Sequence, residues 1–199
     1  PLLASLGSLG ASGAYYIACA TDTVYALPGT MTGSIGVIME MFDASEGLKR
    51  IGVTPNSITA GTLKDAGSPF KPMSEQERAY FKDLVDDVHS QFIEAVSSGR
   101  NMEVDAVRRL ADGRVFTGRQ AKGAGLVDRL GGLDEAVEDA RKKAHIEGEP
   151  RIIRSEGTRG VWDAIRRIIP WDTRPFPFRG DPSEGLGMGR QVRLDYSIQ

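Results

Sequence analysis

A serine lies in a glycine-rich turn close to the start of the chain. Residues 2–6 form an apolar run, Gly7 and Gly10 interrupt it, and Ser12 is followed by a small-residue segment with helical potential. A strand, a tight turn and a helix in this order expose a serine hydroxyl and direct the first helical N–H groups toward it. Ser12 is therefore a candidate nucleophile. Because Ala14 stands where a Gly-x-Ser-x-Gly elbow has its last glycine, a plain tight connection is the alternative.

A serine nucleophile needs a base, and histidine is the usual one. The chain has only His89 and His145. His89 falls inside a long amphipathic segment and His145 at the junction before the C-terminal region, so neither shares the glycine-bounded setting of Ser12. Packing or solvated roles are expected for both, and the sequence disfavours a Ser-His-Asp triad.

Lysine is the other base that can serve a serine. The pKa of a lysine must then fall by about 3 from about 10.4, which costs about 4 kcal/mol and lies within what burial supplies. Lys64 occupies a loop at 61–72 that follows a predicted strand, and sites of open α/β sheets form beyond the carboxyl ends of strands. Lys64 is thus a candidate base, with a solvated surface lysine as the alternative.

The totals exclude several other classes of function. The 199 residues carry 25 basic and 27 acidic side chains, a net charge of −2 that gives no indication of a nucleic-acid partner. Cys19 is the single cysteine, so an internal disulfide and a cysteine-rich metal site are excluded. Carboxylates and histidines lack metal-ligand spacing, and dinucleotide and P-loop motifs are missing. We expect neither a metal nor another cofactor.

Strand and helix patterns alternate along the first three quarters of the chain, which predicts an α/β fold with βαβ units. The last predicted helix of that region is followed by a change of composition, so we expect a catalytic domain over 1–145 and an irregular tail over 146–199 with a short amphipathic helix. The predicted strands are 2–6, 23–27, 35–39, 56–60, 115–116 and 126–128, and the predicted helices are 14–20, 44–51, 74–99, 104–110, one from 117 and 133–143.

Five motifs in this order resemble the signal peptide peptidase A (protease IV) family of serine peptidases. The resemblance runs from residue 1 to about residue 144. The motifs are Ala-Ser-Gly-Ala-Tyr-Tyr at 11–16, Pro-Gly-Thr-Met-Thr-Gly-Ser-Ile-Gly-Val at 28–37, Lys-Asp-Ala-Gly-Ser-Pro-Phe at 64–70, Ala-Asp-Gly-Arg-Val-Phe-Thr-Gly at 111–118 and Gly-Leu-Val-Asp at 125–128.

The resemblance implies a ClpP/crotonase-like fold and a Ser-Lys dyad, with Ser12 as the nucleophile and Lys64 as the general base. It also implies that Ser34, in a Thr-Gly-Ser turn, hydrogen-bonds the lysine amine and aims it. The Gly13 N–H is the candidate oxyanion donor. The implied substrates are remnant signal peptides and other unfolded segments with small or apolar side chains.

Family members carry upstream elements, including a second oxyanion donor and usually a membrane anchor, and this sequence begins at Pro1 without a methionine. We therefore expect a piece of a longer, membrane-anchored protein whose catalytic domain is extracytoplasmic. Because Ser12 and Lys64 both occur in one module, the sequence resembles the short form of the family. That form implies a homo-oligomeric ring in which the lysine approaches the serine of a neighbouring subunit.

Other functions remain open at this stage. A phage capsid-maturation peptidase or a stomatin-linked membrane peptidase would use the same chemistry. A non-catalytic scaffold subunit would keep the fold without needing Ser12, Ser34 and Lys64 together. A crotonase-type acyl-CoA enzyme is disfavoured, because it would not require this serine and lysine.

Overall fold

The structure is a computed structural model that describes residues 1–154 and 192–194. The chain forms two compact units. The first contains Pro1–Gly10, Thr21–Thr32 and the described residues from Phe116 onward, and the second contains Ala11–Ala20 and Gly33–Val115.

A parallel three-stranded sheet forms the centre of the first unit. Strands β1 (Leu3–Leu6), β3 (Thr23–Ala26) and β6 (Arg129–Leu130) lie in the order β1-β3-β6, with Leu3 opposite Thr23. All four residues of β3 are buried, as expected for the middle strand of a covered parallel sheet. Helix α6 (Leu133–Lys143) packs on β1, and α5 (Gly118–Gly123) packs on β6.

A second sheet contains β2 (Leu9–Ala11), β4 (Met31–Gly33) and β5 (Val115–Thr117), in the order β2-β4-β5. Each of these strands includes a point at which the chain passes from one unit to the other. The buried Thr32 hydroxyl donates to the Gly10 carbonyl at 2.7 Å. Helices and largely parallel strands together confirm the predicted α/β class.

Helices dominate the second unit. They are α1 (Gly13–Ala18), α2 (Ser45–Arg50), α3 (Glu75–Arg100) and α4 (Val104–Leu110). Helix α3 packs against both α1 and α4. The buried hydrophobic core of the second unit comprises Tyr15, Ala18, Cys19, Ile35, Phe92, Ile93, Val96, Val107 and Ala111.

The sequences Ser-Glu-Gln-Glu at 74–77 and Thr-Gly-Arg-Gln at 117–120 each predict a capping box at a helix start, and both boxes form. At the start of α3 the Ser74 Oγ accepts the Glu77 N–H at 3.2 Å, and Glu77 Oε2 accepts the Ser74 N–H at 2.8 Å. Thr117 and Gln120 make the same reciprocal pair at α5. Each box satisfies two N–H groups that a helix start otherwise leaves without partners.

Two predicted strands are wrong. Residues 35–39 and 56–60 are irregular. Ile35 is buried, but Ile38 is 79% exposed and Ile58 is 98% exposed. A continuous apolar run forms a buried strand only where other strands pair with it and other layers cover it, and neither segment has a paired strand among the described residues.

The strand predicted at 126–128 forms three residues later, as β6. Leu126 and Val127 are buried in the turn after α5. The Asp128 carboxylate accepts the Val24 N–H at 2.7 Å, and strand pairing of β6 with β3 starts at the next residue, Arg129. In the region predicted to be an irregular tail, β7 (Ile152–Arg154) and β8 (Val192–Leu194) pair antiparallel. The amphipathic helix predicted at 161–171 lies outside the described residues.

The predicted end of α3 at Gly99 is one residue too early. The helix continues to Arg100, and Asn101 terminates it in the left-handed conformation. Gly99 has a packing role. A Cβ atom there would lie 2.1 Å from the carbonyl oxygen of Cys19, so only glycine allows the end of α3 to approach the end of α1 this closely.

We predict that Gly99→Ala lowers the free energy of unfolding by about 1–3 kcal/mol, because overpacking against a fixed carbonyl outweighs the better helix propensity of alanine. Chemical denaturation measures this change. Gly123→Ala is the matched control, since a Cβ atom at this helical glycine meets nothing within 4 Å. Equal stability of the two variants would contradict the close approach.

Candidate active site

Ser12 occupies a strained turn between β2 and α1. Its backbone has φ 54° and ψ −124°, a region that favours glycine and costs another residue about 1–3 kcal/mol. Its N–H donates to the Gly33 carbonyl at 2.8 Å, and its own carbonyl accepts the Tyr16 N–H at 2.9 Å. The side chain makes no capping hydrogen bond and is exposed. The backbone is therefore fixed at both ends while the hydroxyl remains accessible.

The Ser12 turn opens into a cavity of about 340 Å³ within the second unit. The walls come from the start of α1, from the irregular segment after Ser34 and from one face of α3, and are mostly apolar. Tyr16 and Phe92 meet there edge to face, with ring centroids 5.1 Å apart. The lining residues are Ser12, Gly13, Tyr16, Gly36, Val37, Ile38, Val88, Gln91 and Phe92.

Gly13 is the first residue of α1 and lines the same cavity. The N–H groups of a first helical turn have no carbonyl partner within their helix. The Gly13 N–H, in the peptide that directly follows Ser12, therefore has no partner within α1.

Ser34 is linked to Ser12 through the backbone. Gly33, whose carbonyl accepts the Ser12 N–H, directly precedes Ser34. Ser34 also has a positive φ, 50°, and its N–H donates to the Arg114 carbonyl at 2.9 Å. The structure therefore brings Ser12, Gly13 and Ser34 together.

Lys64 is not joined to this group. It is exposed, and it lies in a turn whose backbone is closed by a hydrogen bond from the Lys64 N–H to the Gly61 carbonyl at 3.2 Å. In the described part of the chain, no hydrogen bond connects the Lys64 amine with Ser12 or Ser34. The predicted strand before this turn is absent from the described residues 56–60, so the turn is positioned by other contacts.

The segment after Ser34 is held by a close backbone approach. The Gly113 N–H donates to the Ile35 carbonyl at 3.1 Å, and a Cβ atom on Gly36 would lie 3.1 Å from the Gly113 Cα. The neighbouring Arg114 guanidinium donates to Asp112 and lowers the pKa of that carboxyl to about 2. The backbone of Gly113, beside Ile35 and Gly36, therefore supports the cavity wall to which Gly36 contributes.

Sequence reasoning missed the cavity wall that α3 contributes. The helix has an apolar stripe at 81, 84, 85, 88, 92 and 96, in which Leu84 and Val88 are exposed and only the C-terminal half is buried. His89, half-buried in α3, is not among the cavity residues. His145 follows α6 and has a φ of 54°.

Residues 1–154 and 192–194 contain no group of three or more histidine, cysteine, aspartate or glutamate side chains that could hold a metal ion. None of their helices is both long and apolar enough to cross a membrane.

Residues 1–147 match the family model described as peptidase family S49. The chain belongs to this family. As an S49 member it has the ClpP-like α/β fold of the family, and the resemblance to the signal peptide peptidase A family is confirmed.

Several proteins are similar to this S49 chain. A protein of Synechocystis, provisionally named protease slr0021, is 42% identical over 87% of this chain and 62% of its own length. One from Enterococcus faecium, provisionally named signal peptide peptidase SppA, is 38% identical over 72% of this chain and 42% of its own length. The chloroplastic serine protease SPPA of Arabidopsis thaliana is 34% identical over 73% of this chain and 22% of its own length. The chain thus spans less than two thirds of these relatives.

The strain at Ser12 can be measured with two variants that both remove the hydroxyl. We predict that Ser12→Gly is more stable than Ser12→Ala by about 1 kcal/mol, because glycine adopts the positive φ freely and this relief exceeds its greater entropy in the unfolded chain. Chemical denaturation of the two variants gives the difference. A less stable Ser12→Gly variant would show that this backbone conformation carries no cost.

Proposed function

We propose that this chain is the catalytic region of a serine endopeptidase with a Ser12-Lys64 dyad. The observation that carries the proposal is the exposed hydroxyl of Ser12 on a strained, doubly hydrogen-bonded backbone at the mouth of an apolar cavity. Backbone strain of this kind concentrates at functional sites. Membership of family S49 and relatives named as serine protease and signal peptide peptidase support the same chemistry.

In the proposed reaction the neutral Lys64 amine takes the Ser12 proton while Oγ attacks the peptide carbonyl carbon. The tetrahedral intermediate collapses when the resulting Lys64 ammonium gives that proton to the leaving amine, which leaves an acyl group on Ser12. A water molecule then attacks the acyl carbon and transfers a proton to Lys64. Release of the carboxylic acid returns the proton to Ser12 Oγ.

Two further groups assist in this proposal. The Gly13 N–H donates to the oxyanion, and its place beside Ser12 at the start of α1 supports that role. The Ser34 hydroxyl accepts a hydrogen bond from the Lys64 amine, which keeps the nitrogen lone pair directed at Ser12. The backbone link from Ser12 through Gly33 supports the role of Ser34.

We propose that the dyad forms between neighbouring copies in a homo-oligomeric ring. The exposure of Lys64 supports this, since it leaves the amine accessible to a second copy. Large apolar side chains in the same unit also face solvent, with Ile38 79%, Phe42 80% and Ile58 98% exposed. Apolar surface of this kind marks interaction sites.

The substrates we propose are remnant signal peptides and other unfolded segments, cleaved at the cell membrane by an extracytoplasmic catalytic domain. The apolar cavity beside Ser12 supports a preference for small or apolar side chains, because it offers hydrophobic contact to one substrate residue. The name of the Enterococcus faecium relative supports the signal-peptide class.

The dyad is tested with Ser12→Ala and Lys64→Ala in the full-length protein. Each variant should lose peptide cleavage by at least about a thousand-fold, because each removes a group that takes part in every bond-making step. The two inactive variants are then mixed under conditions that exchange subunits. Activity should return in part, since some sites receive Ser12 from one copy and Lys64 from the other.

The outcomes separate the open alternatives. Retained cleavage in either single variant contradicts the dyad, and a mixture that stays inactive after proven subunit exchange contradicts the shared site. A scaffold subunit would fail to react with a fluorophosphonate serine probe in the wild-type protein. A soluble, unanchored full-length protein would favour a capsid-maturation peptidase, and cleavage of a stomatin partner would favour that membrane protease.

The cavity assignment predicts that Val88→Trp selectively weakens cleavage after large apolar residues. An indole ring at Val88 fills the space beside Ser12, so kcat/KM should fall about ten-fold for a substrate with leucine at the cleavage site and less for one with alanine. Leu84→Trp is the matched control, one turn earlier on the same exposed stripe and outside the cavity. Equal losses for both substrates would contradict the assignment.

A further inference from the structure

The turn that carries Lys64 is tied to α3 through one lysine. Asp65 directly follows Lys64, and its Oδ1 accepts a hydrogen bond from Lys71 Nζ at 2.8 Å. The same ammonium lies 2.7 Å from Glu77 Oε1. Lys71 therefore bridges two carboxylates, one next to the proposed base and one in the first turn of α3.

Glu77 is a rigid anchor for this bridge. It is only 3% exposed, and its Oε2 accepts hydrogen bonds from the Ser74 N–H at 2.8 Å and from the Ser74 Oγ at 3.0 Å. The adjacent Lys71 ammonium, together with the Ser74 N–H, lowers the pKa of Glu77 to about 2. The anchor is therefore a fixed carboxylate at neutral pH.

The residues between Asp65 and Lys71 are fixed as well. Gly67 has a φ of 74°, and a Cβ atom there would lie 3.1 Å from the Phe81 ring and 3.2 Å from the Met41 sulfur. The Pro69 carbonyl accepts the Ala44 N–H at 2.7 Å. The chain is thus held immediately after Lys64, while Lys64 itself extends into solvent.

We propose that Lys71 is a positioning residue for the Lys64 base, acting through its hydrogen bond to Asp65. This inference rests on the proposed function of Lys64. Without the Lys71 ammonium, Asp65 loses its tie to α3 and Glu77 keeps a buried charge without a counter-ion. The turn that presents Lys64 then samples a wider range of positions. Catalysis is sensitive to such displacement, since a misplacement of about 1 Å can cost about a hundred-fold in rate.

The test uses the full-length protein and three variants. Lys71→Met removes the charge while keeping a long side chain, and Lys71→Arg keeps both ion pairs. Lys82→Met is the matched control, because it makes the same substitution in an exposed ion pair, between Lys82 and Asp86 of α3. We expect Lys71→Met to lower kcat at least about ten-fold with KM changed less than two-fold. Lys71→Arg should restore at least half of kcat, and Lys82→Met should match the wild type.

A merely structural role predicts a different pattern. It would lower the fraction of folded protein and the thermal midpoint while leaving kcat per folded site unchanged, so kcat is normalised to folded protein by circular dichroism. Asp65→Ala is a fourth variant, because it removes the acceptor of the Lys71 hydrogen bond at the Lys64 turn but leaves the Lys71–Glu77 pair in place. It should lower kcat without a shift in the thermal midpoint. Unchanged kcat in Lys71→Met or in Asp65→Ala, or an arginine variant that restores nothing, overturns the proposal.

Failure of this inference is distinguishable from failure of the dyad. If Lys64→Ala retains cleavage, Lys64 is not the base and the proposed function fails together with the positioning role. If Lys64→Ala is inactive while Lys71→Met keeps the wild-type kcat, the dyad stands and only the positioning role is overturned.

Discussion

The candidate site depends on one backbone hydrogen bond, from the Ser12 N–H to the Gly33 carbonyl. The bond joins the turn before α1 to the turn after β4, and each turn places a serine at positive φ. Neither serine reaches this conformation at low energy by itself. Two serines at positive φ, joined by the same contact, represent the kind of backbone strain that concentrates at functional sites.

The packing around α1 offsets this strain. Tyr15 and Cys19 are completely buried, and the glycine at position 99 lets the end of α3 approach the Cys19 carbonyl directly. The short helix that follows Ser12 is thus packed on the face that carries Tyr15 and Ala18 and at its end by Cys19. A helix of six residues has little stability of its own, so tertiary packing must hold the turn that precedes it. The geometry of Ser12 consequently depends on the packing of the core of the second unit.

Sequence patterns predicted those features that nearby residues determine. The capping boxes at Ser74 and Thr117 and the helix at 133–143 formed as expected because their hydrogen bonds and periodicity are local. The Ser12 and Ser34 turns were also found, since their glycines are adjacent in sequence. The apolar run at 35–39 and the segment at 56–60 do not form the predicted strands, because a strand depends on a distant partner. For the same reason the α3 wall of the cavity was missed: Val88 meets Ser12 across 76 positions of sequence.

The environment of the Lys64 amine is the feature that nearby sequence determines least. A lysine works as a base only when its amine is desolvated, and in this chain the amine is exposed. Contacts of Gly67, Pro69 and Lys71 fix the chain immediately after Lys64. The position of the turn is therefore determined, while the Lys64 side chain remains exposed. In the proposed dyad, a second copy of the chain or a bound peptide supplies the surface that excludes water from this amine. The ability of the amine to accept the Ser12 proton is then a consequence of assembly or substrate binding rather than a property of the isolated turn.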